Sequence, residues 1–197
     1  DSLDPTSPYA SSKAAADLLA LSYYKTFKTP VIITRSSNNF GPYQHPEKFI
    51  PLFITNALEG KKLPLYGNGR NVRNWIYVED NCRGIEFVMR KGKPGEIYNI
   101  GGETEEANIK VAGIIVKKLG LKKDIIKKAT DRLAHDKRYA LSSAKLKKSG
   151  WKPEYDFDSA MAKTIDWYAE NGKWWKCLKN RDFKDYIKKA YKKEKGF

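Results

Sequence analysis

Apolar residues recur at helical spacing early in the chain, with Ala14, Leu18 and Leu21 on one face of residues 8–27. That pattern predicts an amphipathic helix. Pro8 suits its first turn, and Lys28-Thr29-Pro30 ends it. Val31-Ile32-Ile33-Thr34 is a β-branched run and predicts a buried parallel strand. Residues 48–58 predict a second helix closed by Gly60. Leu63-Pro64-Leu65-Tyr66 reads as a short extended piece, with the proline that an edge strand tolerates. Alternation from Arg73 to Val78 predicts a strand that runs into a helix ending near Arg90. Glu79 and Asp80 fall in that helix's first turn, where the dipole favours acids. They are read as caps, because adjacent helical positions do not converge.

A further strand is expected at residues 95–100, before Gly101-Gly102, and a helix at 108–119 with Asn108 as its N-cap. Residues 125–129 lead into a polar segment, followed by helices at 142–149 and 157–168. From Asn171 onward, Trp174, Trp175, Phe183, Tyr186 and Tyr191 stand between lysines, and this tail is expected to pack helically on the body. Strands separated by helices indicate an α/β fold. There is no internal repeat and no low-complexity linker.

The chain has 197 residues, enough for a core of ordinary domain size. Hydrophobic residues make up 41% against 31% charged, which excludes a disordered chain. No apolar run approaches membrane-spanning length and the start has no signal-peptide pattern, so no membrane association is expected. Cys82 and Cys177 are far apart in sequence, and His45 and His135 lack zinc-site spacing. The expectation is a reducing, cytoplasmic setting and no structural metal. A net charge of +15 raises the question of nucleic acid. The lysines, however, are interleaved with acids up to the Lys-rich end, and Lys and Glu abundance is also a habit of proteins from hot environments. No nucleic-acid partner is expected, although a basic aromatic tail is where an RNA-binding reading would begin. The charge would attract an anionic substrate such as a sugar diphosphate.

Tyr9 and Lys13 stand four apart on the first helix, so phenol and ammonium share a face. A fixed ammonium beside a phenol favours the phenolate, which can take a proton from an alcohol. Taken alone, the pair reads first as an aromatic packed under an exposed lysine.

The surrounding motifs decide between these readings. Ser7-Pro8-Tyr9-Ala10-Ser11-Ser12-Lys13 is followed by Arg35-Ser36-Ser37-Asn38-Asn39-Phe40-Gly41-Pro42 and by Pro46-Glu47-Lys48-Phe49-Ile50-Pro51. Then come Leu65-Tyr66-Gly67-Asn68-Gly69, Arg73-Asn74-Trp75-Ile76-Tyr77-Val78-Glu79-Asp80, and Asp131-Arg132-Leu133-Ala134-His135-Asp136-Lys137-Arg138-Tyr139. In this order they resemble the extended short-chain dehydrogenase/reductases, and among them the branch of the dTDP-glucose 4,6-dehydratases. The resemblance runs from Pro5 to about Tyr168.

It implies the C-terminal part of an NAD(P)-binding Rossmann fold, a doubly wound parallel sheet, plus a smaller α/β substrate-binding domain. Residues 1–40 would end the Rossmann domain. Residues 41–170 would form the substrate region interleaved with the last Rossmann strands, and 171–197 a basic helical tail. The implied cofactor is NAD, held by Tyr9, Lys13 and Asn39. The implied substrate is the nucleotide sugar dTDP-glucose. Asn38 would touch it, Lys48 with Phe49 beside it would face the diphosphate, and Pro64, Leu65 and Tyr66 would lie along the base. Arg73 would clamp phosphate, since a guanidinium grips phosphate oxygens as a fork; Asn74 follows it where the family often has Asp. Asn108, Asp131, Arg132 and His135 complete the implied substrate set, with Leu133-Ala134 where the family prefers Pro-Gly. Asn38 and Asn39 are also ordinary loop-capping residue types.

The implied reaction makes a 4-keto-6-deoxy sugar. Tyr9 takes the C4 hydroxyl proton while NAD takes the hydride, water leaves across C5 and C6, and the hydride returns at C6. No G-x-G-x-x-G occurs, and Gly67-Asn68-Gly69 opens no helix. The family's acid and base for the elimination also lie upstream of its Tyr. The expectation is therefore a C-terminal portion whose partner is an N-terminal half; the resemblance also implies a homodimer, paired through the Tyr9–Lys13 helix and the next helix. The alternatives are another NAD-dependent nucleotide-sugar epimerase, dehydratase or decarboxylase, and a non-catalytic binding domain.

Overall fold

The protein was analysed as a computed structural model, which describes residues 3–131 and 136–191. Helix α1 spans Pro8–Phe27. Ser7 caps it by accepting from the Ala10 N–H at 3.1 Å, and Pro8 occupies the first turn, where no donor is needed. Lys28 ends it in the left-handed region, φ 57°, donating its N–H to the Tyr24 carbonyl. No residue of α1 is buried, and Leu18, Leu19, Tyr23 and Phe27 are exposed. The helix is held by an Arg35–Asp17 ion pair of 2.6 Å and by Tyr24, whose ring lies against Gly95. A Cβ at residue 95 would meet that ring at 2.1 Å, so only glycine admits this contact.

Strand β1 (Ile33–Ser36) pairs in parallel with β5 (Ile97–Ile100), Ile33 opposite Ile97. The expected strand begins two residues later than its β-branched run, because Val31 donates back to Thr29 in a turn after Pro30. Strand β2 (Asn38–Phe40) pairs in parallel with β4 (Val72–Tyr77). On the other edge of β4 lies β6 (Thr104–Ala107), antiparallel, and β8 (Arg138–Tyr139) extends the β2 side. Strand β4 is buried along nearly all its length because it is central, flanked on both edges. A third pair joins β3 (Leu63–Tyr66) to β7 (Ile126–Ala129) in parallel. The parallel pairs and their helical crossovers make an α/β fold with its strands in three small sheets.

Helices α2 (Phe49–Leu58), α4 (Asn108–Lys118) and α6 (Phe157–Glu170) pack with β3 and β4 around the larger core, centred on Phe40, Phe53, Leu63, Ile115 and Tyr168. A smaller core gathers Ile76, Val88, Tyr98, Ile100, Leu146 and Trp151 between the first parallel pair, α3 (Val78–Lys91) and α5 (Ala144–Lys148). Gly84 on α3 lets the sheet approach, since a Cβ there would stand 2.7 Å from Ile100. The tail folds as α7 (Gly172–Leu178) and α8 (Arg181–Ala190), and docks through buried Trp175 and Tyr191.

Two expected caps are placed differently. The N-cap of α4 is Ala107, and Asn108 is the first helical residue. The N–H groups of Asn108 and Ile109 already donate to the carbonyls of Asn71 and Gly69. The chain reaches the helix along β6, so the turn is closed by backbone and not by an amide side chain. The N-cap of α3 is Tyr77, without a side-chain bond, and neither acid caps the helix. Asp80 is buried, 1% exposed, and accepts from the backbone N–H groups of Glu154 and Tyr155 at 2.7 and 3.1 Å and from Arg83 at 2.5 Å. It ties the loop before α6 to α3. Glu79 accepts from the Tyr155 hydroxyl at 2.9 Å.

Candidate functional site

The sheet ends, the start of α2 and the tail enclose a cavity of about 420 Å3. Its lining includes Asn38 from β2, Lys48 and Phe49 at the start of α2, Pro64, Leu65 and Tyr66 from β3, Arg73 from β4, and Asn108 from α4. These residues are scattered over 71 positions of sequence, and the parallel pairings bring them to one wall. Asn38 is in register with Trp75, two residues beyond Arg73. Successive strand residues face opposite ways, and accordingly Asn38 lines the cavity while Asn39 does not.

Polar atoms on this wall have no hydrogen-bond partner among the described residues. They are Oδ1 of Asn38, Oδ1 of Asn108 and Nε1 of Trp75, all buried. Buried polar groups are normally paired, so such a cluster marks a wall built to be completed by a polar molecule. Arg73 is 8% exposed, and its Nη1 donates to the carbonyls of Val72 at 2.8 Å and Asp136 at 3.0 Å. The guanidinium is thus fixed by backbone before any ligand arrives. Lys48 pairs with Glu47 at 3.0 Å with its side chain largely exposed. The aromatic floor is Phe49 stacked near Trp75, centroids 6.1 Å apart.

The remaining expected residues lie elsewhere. Tyr9 and Lys13 sit one turn apart on α1, both exposed, Tyr9 by 75%, and neither lines the cavity. Asn39 donates from Nδ2 to the Ser37 carbonyl at 3.1 Å, and its Oδ1 has no partner among the described residues. Asp131 stands against Gly67, where a Cβ would meet its Oδ2 at 2.8 Å. Arg132 and His135 lie outside the described residues. Six further lining residues were not among those expected: Glu47, Leu52, Trp75, Tyr186, Ala190 and Tyr191. Trp75 looks like plain strand pattern, and the tail's aromatics alternate with lysines without pointing to a cavity.

For NAD, the fitting groups lie just beyond the carboxyl end of β1, where open parallel sheets bind ligands. Ser37 Oγ and Asn39 Oδ1 are buried there without partners among the described residues. A hydroxyl and an amide oxygen of this kind suit hydrogen bonds to a ribose or an amide.

The family model of GDP-mannose 4,6 dehydratase matches residues 1–164. The chain belongs to that family.

Within it, a dTDP-glucose 4,6-dehydratase of Streptomyces antibioticus is 49% identical over 180 residues, covering 91% of this chain and 54% of its own. The crystal structure of a Bacillus anthracis dTDP-glucose 4,6-dehydratase in complex with NAD is 54% identical, with a TM-score of 0.87, covering 90% of this chain and 57% of that one. A Streptomyces venezuelae dTDP-glucose 4,6-dehydratase with NAD bound is 49% identical, with a TM-score of 0.88, covering 90% and 55%. The chain spans about half the length of these family relatives. Among the described residues no helix is long and apolar enough to cross a membrane.

Proposed function

We propose that the cavity receives the nucleoside diphosphate of a nucleotide sugar, and that the whole protein is an NAD-dependent dTDP-glucose 4,6-dehydratase. The convergence of Asn38, Lys48, Phe49, Tyr66, Arg73 and Asn108 on one wall carries the reading. Arg73, held in place by two carbonyls, meets the diphosphate with little reorganisation. Lys48 adds a mobile positive charge at the rim. Leu65 and Tyr66 give the base an apolar, aromatic flank, and the unpaired oxygens of Asn38 and Asn108 accept from substrate N–H or O–H groups.

Bound NAD supplies a hydride acceptor for the sugar carbon that becomes a ketone, and a donor for the later reduction. Tyr9 takes the proton of the C4 hydroxyl, and Lys13, on the same helix face, donates to the cofactor ribose. Asn39 orients the cofactor from the far side of β2. The apolar row of Leu18, Leu19, Tyr23 and Phe27 on α1 supports pairing of two copies through that helix.

Titration calorimetry tests the reading. The protein is expected to bind dTDP about tenfold or more tighter than UDP, because a seated methyl group is worth that much in an apolar pocket. Equal affinities would favour an epimerase-like member, and no binding of either would remove the nucleotide-sugar reading.

A further inference from the structure

We propose that Lys179 is a positioning residue for this cavity: its buried ammonium latches the tail helices to α2 and so fixes the wall that Tyr186, Ala190 and Tyr191 contribute. The proposal rests on the nucleotide-sugar reading of the cavity.

Lys179 sits in the joint between α7 and α8 with its side chain only 7% exposed. Lysines are almost never this buried unless paired. Its Nζ donates to Glu59 Oε2 at 2.8 Å and to Asn56 Oδ1 at 3.0 Å, both at the C-terminal end of α2. The same ammonium lies 5.3 Å from the Trp175 ring centroid and 5.6 Å from that of Phe183, so cation–π attraction ties α7 and α8 to one point. Burial pulls the Lys179 ammonium below the ordinary lysine range, against the opposing pull of Glu59. Glu59 is held below the usual carboxylate range: burial raises it, and Lys179 and Lys61 more than offset that.

The two bodies joined by this contact are the two sides of the cavity. Helix α2 carries Phe49 and Leu52 at its opposite end, and α8 carries Tyr186 and Ala190, with Tyr191 directly after it. Directional bonds from one ammonium to a carboxylate and an amide set a register. Helix α6 holds the loop between β2 and α2, with Tyr43 4.7 Å from the Trp167 ring and the Tyr168 hydroxyl donating to the Gln44 carbonyl, and the tail touches the same loop through Trp174, 5.4 Å from the Tyr43 ring, and Phe183, 6.4 Å from the His45 ring. That loop has cavity residues at both ends, Asn38 before it and Lys48 after it. A shift of the tail therefore moves its own wall directly and disturbs this loop through the Trp174–Tyr43 and Phe183–His45 ring contacts.

Lys179→Met keeps the length and removes the charge. It is expected to raise the Kd for dTDP about tenfold and, in the whole protein, to raise KM with little change in kcat, because Lys179 touches no reacting atom. Lys179→Arg is expected to retain binding within about threefold. Wild-type affinity in a folded Lys179→Met protein overturns the latch. If that variant does not fold, Glu59→Gln reads the same contact, and wild-type affinity there overturns it equally. Amide hydrogen exchange needs no ligand: at equal global stability, loss of the latch is expected to speed exchange across residues 181–191. Unchanged exchange contradicts the latch even where dTDP binding fails in the wild type, a failure that would count against the nucleotide-sugar reading alone.

Discussion

Tyr66 of β3 and Tyr191 at the end of α8 lie face to face, with ring centroids 5.1 Å apart and planes inclined by 16°. A strand from the first third of the chain and the far end of the tail thus close one side of the cavity. Such stacking contributes about 0.5–1.5 kcal/mol beyond the area it buries. Tyr191→Ala is expected to lower dTDP affinity several-fold and to loosen α8, while the core around Phe53 and Ile115 stays intact. Calorimetry together with near-ultraviolet circular dichroism checks this.

Asp80 is the buried junction between α3 and the loop before α6. Asp80→Asn keeps the shape, removes the charge facing Arg83 and turns one acceptor into a donor. A loss of about 1.5–3 kcal/mol of stability is expected, the scale of hydrogen bonds to a charged group. Glu79→Gln, one residue earlier and nearer solvent, should cost under about 0.5 kcal/mol. Urea unfolding of the two variants measures the difference.

Two glycines should respond in opposite ways to alanine. At Gly102 a Cβ would stand 1.9 Å from the Trp75 carbonyl oxygen, a backbone atom in the central strand. Gly102→Ala is expected to cost about 1–3 kcal/mol or more through displacement of β4. Gly113 lies inside α4 with nothing within 4 Å of its Cβ direction. Gly113→Ala should gain about 0.5–1 kcal/mol from helix propensity. Thermal unfolding would show one midpoint falling and the other rising.

Burial pushes the Tyr77 phenol up to about 12, with Glu79 and Tyr155 adding to the effect. The folded state therefore holds this proton more tightly than the unfolded chain, whose phenol titrates near its ordinary value of about 10. The contribution is whole below about pH 10 and is lost as pH rises through about 12. Tyr77→Phe has no such proton, so the stability difference between wild type and variant should shift against the wild type across that window. A constant difference from pH 8 to 12 would contradict the assignment.

What could be read from the sequence was what local chemistry dictates. Helix α1 was bounded by Pro8 and by Lys28-Thr29-Pro30, and both signals act within one turn. The strands β2 and β6 were not legible: one is three residues long and carries two asparagines, and the other is Thr-Glu-Glu-Ala, held by its pairing with β4. Asn108 has the composition of a cap, but the incoming strand gives the helix's first N–H groups to the Asn71 and Gly69 carbonyls. Asp80 likewise looked like a cap, and only the fold brings residues 154 and 155 to it. The central cavity residues were legible through order and motif. The tail's share of the wall depends on contacts such as Lys179 to Glu59, 120 positions apart, which no local pattern encodes.

If the cavity around Arg73 binds a nucleoside diphosphate, loss of Arg73 weakens that binding far more than loss of a remote positive charge. Arg73→Ala and Lys117→Ala remove the same charge, the first from the cavity wall and the second from an exposed position on α4. Calorimetric titration with dTDP should show Kd rising about tenfold to a hundredfold for Arg73→Ala, the worth of a charged hydrogen-bonded contact, and by less than about twofold for Lys117→Ala. Equal changes for the two variants would mean that only the overall positive charge attracts the ligand, and would contradict the site.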